Sequence, residues 1–103
     1  MDLDQISWKN NLDADESAII LDVRTAEEFK ISHLSNSINI DFYNPQHFMN
    51  ELGKLDKDLS YYVYCRTGVR SSNSCALMSE LGFKKTFNLI GGIVEWNGVI
   101  KSQ

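Results

Sequence analysis

Tyr61-Tyr62-Val63-Tyr64-Cys65-Arg66-Thr67-Gly68-Val69-Arg70-Ser71-Ser72 runs a block of β-formers into a helical pattern through one cysteine. Aromatic and β-branched residues suit a pleated, covered strand. The pattern predicts strand, tight loop and helix, with Cys65 at the strand's end. In an open α/β sheet that end is where ligands bind. If the chain wraps the sulfur, the N–H groups of residues 66–70 form an anion nest, and the helix adds the positive end of its dipole. Arg66 and Arg70 bring two full charges. All three favour thiolate over thiol. A pKa falling from about 8.5 to about 6.5 lifts the thiolate fraction at neutral pH from roughly 3% to roughly 75%. Gly68 permits a positive φ inside the turn.

Working outward, Ala18-Ile19-Ile20-Leu21-Asp22-Val23 reads as a strand covered on both faces, as in parallel sheets. Thr25-Ala26-Glu27-Glu28 fits a capping box opening a short helix to Ile31. Asp22 and Arg24, a charge pair at a strand end, are expected to brace neighbouring loops. His33 to Ile40 reads as a turn and one alternating strand. His33 is expected to hydrogen-bond backbone rather than act as a base. Asn44-Pro45 caps a helix with Phe48, Leu52 and Leu55 on one face, and His47 on its surface. Ser71 to Leu81 reads as helix, with Leu81-Gly82-Phe83 as a glycine cap. Cys75 lies more than a turn beyond the loop and reads as a packed thiol, too far along the axis to bond Cys65 easily. Thr86 to Ile90 is the last clear strand, and Gly91-Gly92 then turns into a short helix ending near Trp96. At the other end, Leu3 to Leu12 fits an amphipathic helix that packs Trp8.

Four ordered stretches resemble the rhodanese-like sulfurtransferase family. They are Leu21-Asp22-Val23-Arg24 with Glu27-Glu28-Phe29, then His33 to Ile40, then Cys65-Arg66-Thr67-Gly68-Val69-Arg70-Ser71, then Asn88 to Trp96. The resemblance covers residues 5 to 98. It implies an α/β fold: a small, open, mainly parallel sheet of four to five strands with helices on both faces. It also implies a sulfur relay, in which Cys65 takes sulfur from thiosulfate or a persulfide and passes it to a thiol or protein acceptor. The loop residues Arg66, Thr67, Gly68, Val69 and Arg70 are the expected donor-binding set, and the glycine pair is expected to pass beside them. One departure is visible: Ser32, Ser35 and Asn36 stand where the family usually has glycine and proline. Asn36 tolerates the left-handed turn that this requires.

The length, 103 residues, suits one small domain spanning 1–103. An apolar share of 43% is enough for a real core and unlike a disordered chain. The net charge of −4 argues against nucleic-acid or anionic-membrane partners. Two cysteines make no disulfide framework, and with two histidines they lack metal-ligand spacing. No cofactor is expected. The polar stretch Met1-Asp2-Leu3-Asp4-Gln5 is not expected to act as an export signal, and the nearest apolar run, Ala18 to Leu21, is too short to span a bilayer. A reactive thiol suits a reducing, cytoplasmic setting.

Two rivals share parts of this pattern. Cysteine-dependent phosphatases and arsenate reductases resemble the architecture, but place one more residue between cysteine and arginine than the four found here. A shorter loop favours a single sulfur over a tetrahedral oxyanion. Non-catalytic binding modules on this scaffold usually lack the cysteine, which is present here.

Overall fold

The computed structural model describes residues 1–102. Five strands form one sheet: β1 (Asp2–Leu3), β2 (Ala18–Asp22), β4 (Ile38–Asn39), β5 (Ser60–Tyr64) and β6 (Lys85–Leu89). Their order is β1-β6-β5-β2-β4, and every neighbouring pair is parallel. The α/β class and the open parallel sheet therefore match the expectation. β5 is central and buried at all five positions, which is why it reads as continuous aromatic and aliphatic residues rather than alternating with polar ones.

The pleat of β5 sorts its side chains to two faces. Tyr61, Val63 and Cys65 join a core with Phe48 and Leu52 of α3 (Pro45–Leu52) and Cys75 and Met78 of α4 (Val69–Glu80). Tyr62 and Tyr64 point the other way, onto Trp8 of α1 (Gln5–Ala14), Leu34 and Leu89. Trp8 meets Tyr62 edge-on at 5.7 Å between ring centroids and Trp96 at 5.5 Å, an arrangement aromatic quadrupoles favour. The helices thus cover both faces, and the loops after β2, β5 and β6 meet at one carboxyl edge.

Several boundaries differ from expectation. The first helix starts at Gln5, not Leu3, because the Asp4 carboxylate accepts the Ser7 N–H at 2.8 Å and so caps it. Residues 2–3 become the edge strand β1, whose Leu3 carbonyl accepts from Ile90 N–H. The single strand expected after His33 is split. Asn36 takes φ 65°, the left-handed turn expected of it. His33–Leu34 (β3) then leaves the main sheet and pairs antiparallel with Ile100–Lys101 (β7), too short a segment to carry a strand pattern. The helix α4 begins two residues early, at Val69, because Gly68 supplies its N-cap at φ 105°. It ends as Leu81-Gly82-Phe83 suggested: the N–H groups of Gly82 and Phe83 close onto the carbonyls of Ser79 and Met78. No described helix is long and apolar enough to cross a membrane.

Candidate active site

The sequence Cys65 to Arg70 wraps the Cys65 sulfur at the carboxyl end of β5. The Gly68 N–H donates to Sγ at 3.1 Å, and the Ser71 hydroxyl donates at 3.3 Å. Burial is the largest single influence on this thiol and pushes its pKa up. The Ser71 hydroxyl and the N–H groups of Ser71, Gly68 and Thr67 together outweigh it and hold Cys65 below its ordinary value. The side chain is almost fully enclosed, 1% exposed, so these donors act where little water competes with them.

The loop is held from outside by the segment after β6. Gly91 and Gly92 turn with φ 84° and 60°. Ile93 N–H then donates to the Cys65 carbonyl at 3.0 Å and Val94 N–H to the Arg66 carbonyl at 3.2 Å. A Cβ on Gly92 would stand 2.3 Å from the Arg66 carbonyl oxygen. The glycine pair is therefore what allows two backbones to touch, and it passes beside the loop as the resemblance implied. On the other side, the Asn88 amide donates to the Gly68 carbonyl at 3.3 Å.

The charges are arranged differently from the sequence-based expectation. Arg70 does not face the sulfur as a free cation. It forms a two-pronged ion pair with Glu28 of α2 (Ala26–Ile31), at 2.7 and 3.0 Å, and lies over the Tyr43 ring at 5.0 Å. The Arg70 hydrogen bonds hold the Glu28 carboxyl at a pKa of about 2. Cys65 contributes least among the influences that shift Arg70. Arg66 is exposed and makes no ion pair among the described residues. The charge on the sulfur thus rests first on a hydroxyl and main-chain N–H groups, with the guanidinium groups secondary. Thr67 and Val69 are exposed on the loop's outer surface.

Asp22 and Arg24 sit behind the loop, as a buried brace. Arg24 Nη2 donates to Asp22 Oδ2 at 2.7 Å, its Nε reaches both carboxylate oxygens, and its N–H donates to Oδ1. The Tyr64 hydroxyl donates to Asp22 at 2.6 Å and accepts the Leu34 N–H at 3.0 Å. Burial pushes the Tyr64 phenol up from its ordinary value. This network ties the residue preceding Cys65 to the ends of β2 and β3.

Three participants were not singled out by sequence: Ser71, Glu28 and Tyr64. Ser71 could have been found, since it follows Arg70 in the first turn of the helix. Glu28 was hidden because the capping box with Thr25 already accounted for it; both capping bonds are indeed present. The two histidines lie apart from the sulfur's donors. His33 Nδ1 pairs with the Phe29 carbonyl at 2.8 Å, while His47 is exposed on α3. Cys75 is a core thiol whose pKa burial pushes up to about 11. A cleft of about 500 Å³ lined by Trp8, Leu12, Ile20 and Leu34 holds no loop residue. Two smaller depressions flank the loop, one lined by Thr67, Gly68 and Val69, the other by Arg66, Ile93 and Val94.

The sequence model of the rhodanese-like domain matches residues 5–98. The chain belongs to the rhodanese-like family. YtwF of Bacillus subtilis, whose sulfurtransferase designation is itself provisional, is 35% identical to this rhodanese-like chain over all of it and 99% of YtwF. YrkF of the same organism, provisionally named a sulfur carrier protein, is also 35% identical, over 89% of the chain. The rhodanese-like chain spans only 48% of YrkF. Among solved structures, a rhodanese-like domain protein from Staphylococcus aureus superposes with a TM-score of 0.84 at 25% identity, covering 99% of this chain and 97% of that one. At the level of the family, these relatives support a sulfurtransferase of the rhodanese type.

Proposed function

We propose that this rhodanese-like domain moves sulfane sulfur from thiosulfate or a persulfide donor to a thiol acceptor through a persulfide on Cys65. The observation that carries this reading is the pair of donors on Sγ, Gly68 N–H and the Ser71 hydroxyl, in an enclosed loop that lowers the thiol's pKa. A nucleophilic cysteine must be ionised to attack, and this environment favours the thiolate without a separate base.

The Cys65 thiolate attacks the outer sulfur of the donor. A new S–S bond forms at Sγ as the donor's own S–S bond breaks, and its electron pair leaves with sulfite or a thiolate. The N–H groups of Thr67, Gly68 and Ser71, which act on the Cys65 sulfur, stabilise negative charge there, as fixed dipoles do in an oxyanion hole. An acceptor thiolate then attacks the outer sulfur of the persulfide, and Cys65 departs as thiolate, restoring the start. Arg66 supplies an exposed fork of N–H donors for an anionic donor. Asp22 and Arg24 hold the strand end that carries Cys65.

Mass spectrometry after incubation with a donor tests the reading. Wild type gains one sulfur atom on Cys65, and Cys65→Ser gains none while keeping its thermal transition. Sulfur loading that survives in Cys65→Ser refutes the assignment.

A further inference from the structure

The carboxylates around the loop have no part in the relay just described. Arg70 is one of two guanidinium groups in the loop, yet its charge is cancelled by Glu28 through two hydrogen bonds. Each depression that flanks the loop also contains an acid: Glu28 shares one with Arg66, and Asp2 shares the other with Thr67 and Gly68. Among the described loop residues, Arg66 alone keeps a full positive charge without an ion-pair partner.

The exposed rim is apolar. Val69 is 66% exposed and precedes Arg70; Tyr43, also 66% exposed, stacks on Arg70. Val94 is 55% exposed and is bonded through its N–H to the Arg66 carbonyl, and Ile90 is 52% exposed and lies against Gly68. Val69 and Ile90 line one of the depressions beside the loop and Val94 the other, so each offers exposed apolar surface to a donor. They give a hydrated dianion nothing to bind, whereas the carbon skeleton of an organic persulfide can lie against them.

We infer that the donor is an organic persulfide of low charge rather than thiosulfate, and that Glu28, by neutralising Arg70 beside an apolar rim, is the residue that sets this preference. The inference rests on the sulfur-relay reading above. For such a donor, the Cys65 thiolate bonds to the outer sulfur of R–S–SH. The donor's S–S bond breaks, the electron pair leaves as R–S⁻, and the proton stays on the enzyme persulfide or passes to water. Charge on the two sides is equal. With thiosulfate the same attack gathers three negative charges around one unpaired guanidinium.

The test compares loading rates from thiosulfate and from the persulfide of N-acetylcysteine methyl ester, generated in situ, read by mass spectrometry. Wild type loads faster from the organic persulfide. Glu28→Gln keeps a residue able to complete the capping box but frees the Arg70 charge. Its ratio of thiosulfate to persulfide rates rises on the order of fivefold, as expected for one added charge acting through partly screened solvent on a dianion but not on a neutral donor. The double variant Glu28→Gln with Arg70→Gln removes both charges and returns the ratio to within about twofold of wild type, by the same electrostatic reasoning. Thermal melts confirm folding of each. If Glu28→Gln unfolds, Arg70→Gln alone decides: uncompensated Glu28 must lower the thiosulfate rate selectively. A wild type that prefers thiosulfate, or a ratio unmoved by these changes, overturns the inference while leaving the relay intact. A wild type that loads from neither donor overturns the relay, and this inference with it.

Discussion

Gly92→Ala is expected to damage both the stability of the domain and the ionisation of Cys65. Gly92 has φ 60° and ψ −164°, a region open essentially to glycine, where another residue costs about 1–3 kcal/mol. The added Cβ would also stand 2.3 Å from the Arg66 carbonyl oxygen, 2.5 Å from its carbon and 2.7 Å from the Cys65 carbonyl oxygen. These are backbone atoms, so no side chain can swing aside. The segments must separate, weakening the bonds from Ile93 N–H to Cys65 and from Val94 N–H to Arg66, at about 1 kcal/mol each. The total loss is about 3–5 kcal/mol, a large share of a small domain's stability. Urea denaturation measures it. Gly53→Ala is the internal control: Gly53 has φ −62° and ψ −20°, and its added Cβ meets nothing nearer than 3.4 Å. That change should be neutral or stabilise by up to about 1 kcal/mol. Thiolate absorbance followed against pH reads the second consequence, a rise in the Cys65 pKa as the loop loosens. If Gly92→Ala is no less stable than Gly53→Ala, and its thiolate titrates as in wild type, the clamp between the two loops does not exist as described.

Further predictions concern single side chains. Ser71→Ala removes the hydroxyl 3.3 Å from Sγ, a bond to a charged group worth about 1.5 kcal/mol. The sulfur-loading rate rises with pH as the thiolate forms, and in Ser71→Ala that curve should move to higher pH; an unmoved curve counts against the hydroxyl's role. Asp22→Asn leaves the buried Arg24 charge without its carboxylate and costs about 3–5 kcal/mol. A loss below about 1 kcal/mol in chemical denaturation, the range of an exposed pair, contradicts a structural brace. Arg66→Ala should slow loading from thiosulfate more than loading from a neutral persulfide, and equal losses argue against charge steering by Arg66.

Much of the fold could be read directly from residue order. The unbroken apolar runs at Ala18–Val23 and Tyr61–Tyr64 meant strands covered on both faces, and a parallel sheet does this to its central members. The caps at Thr25, Asn44 and Gly82 were legible because helix ends leave unpaired N–H and C=O groups that only a few residue types satisfy locally. Cys65 at the end of its strand was legible for the same local reason, as was the need for glycine at position 68.

Long-range pairing was not legible. β1 and β7 are two residues long and exist only because β6 and β3 offer them an edge; two residues hold no periodicity. Nor could sequence tell which acid would meet Arg70. No acidic residue lies between Leu59 and Ser79, so the loop read as a purely cationic stretch. The parallel order sets the carboxyl ends of β2 and β5 side by side, and Glu28, in the helix after β2, meets Arg70 across 42 positions of sequence and cancels one of the loop's two charges. Hydrogen-bonding capacity is written residue by residue, but a Coulomb interaction depends on distance in space. The wrapped cysteine therefore followed from residue order, while the field around it was decided by which strands lie side by side.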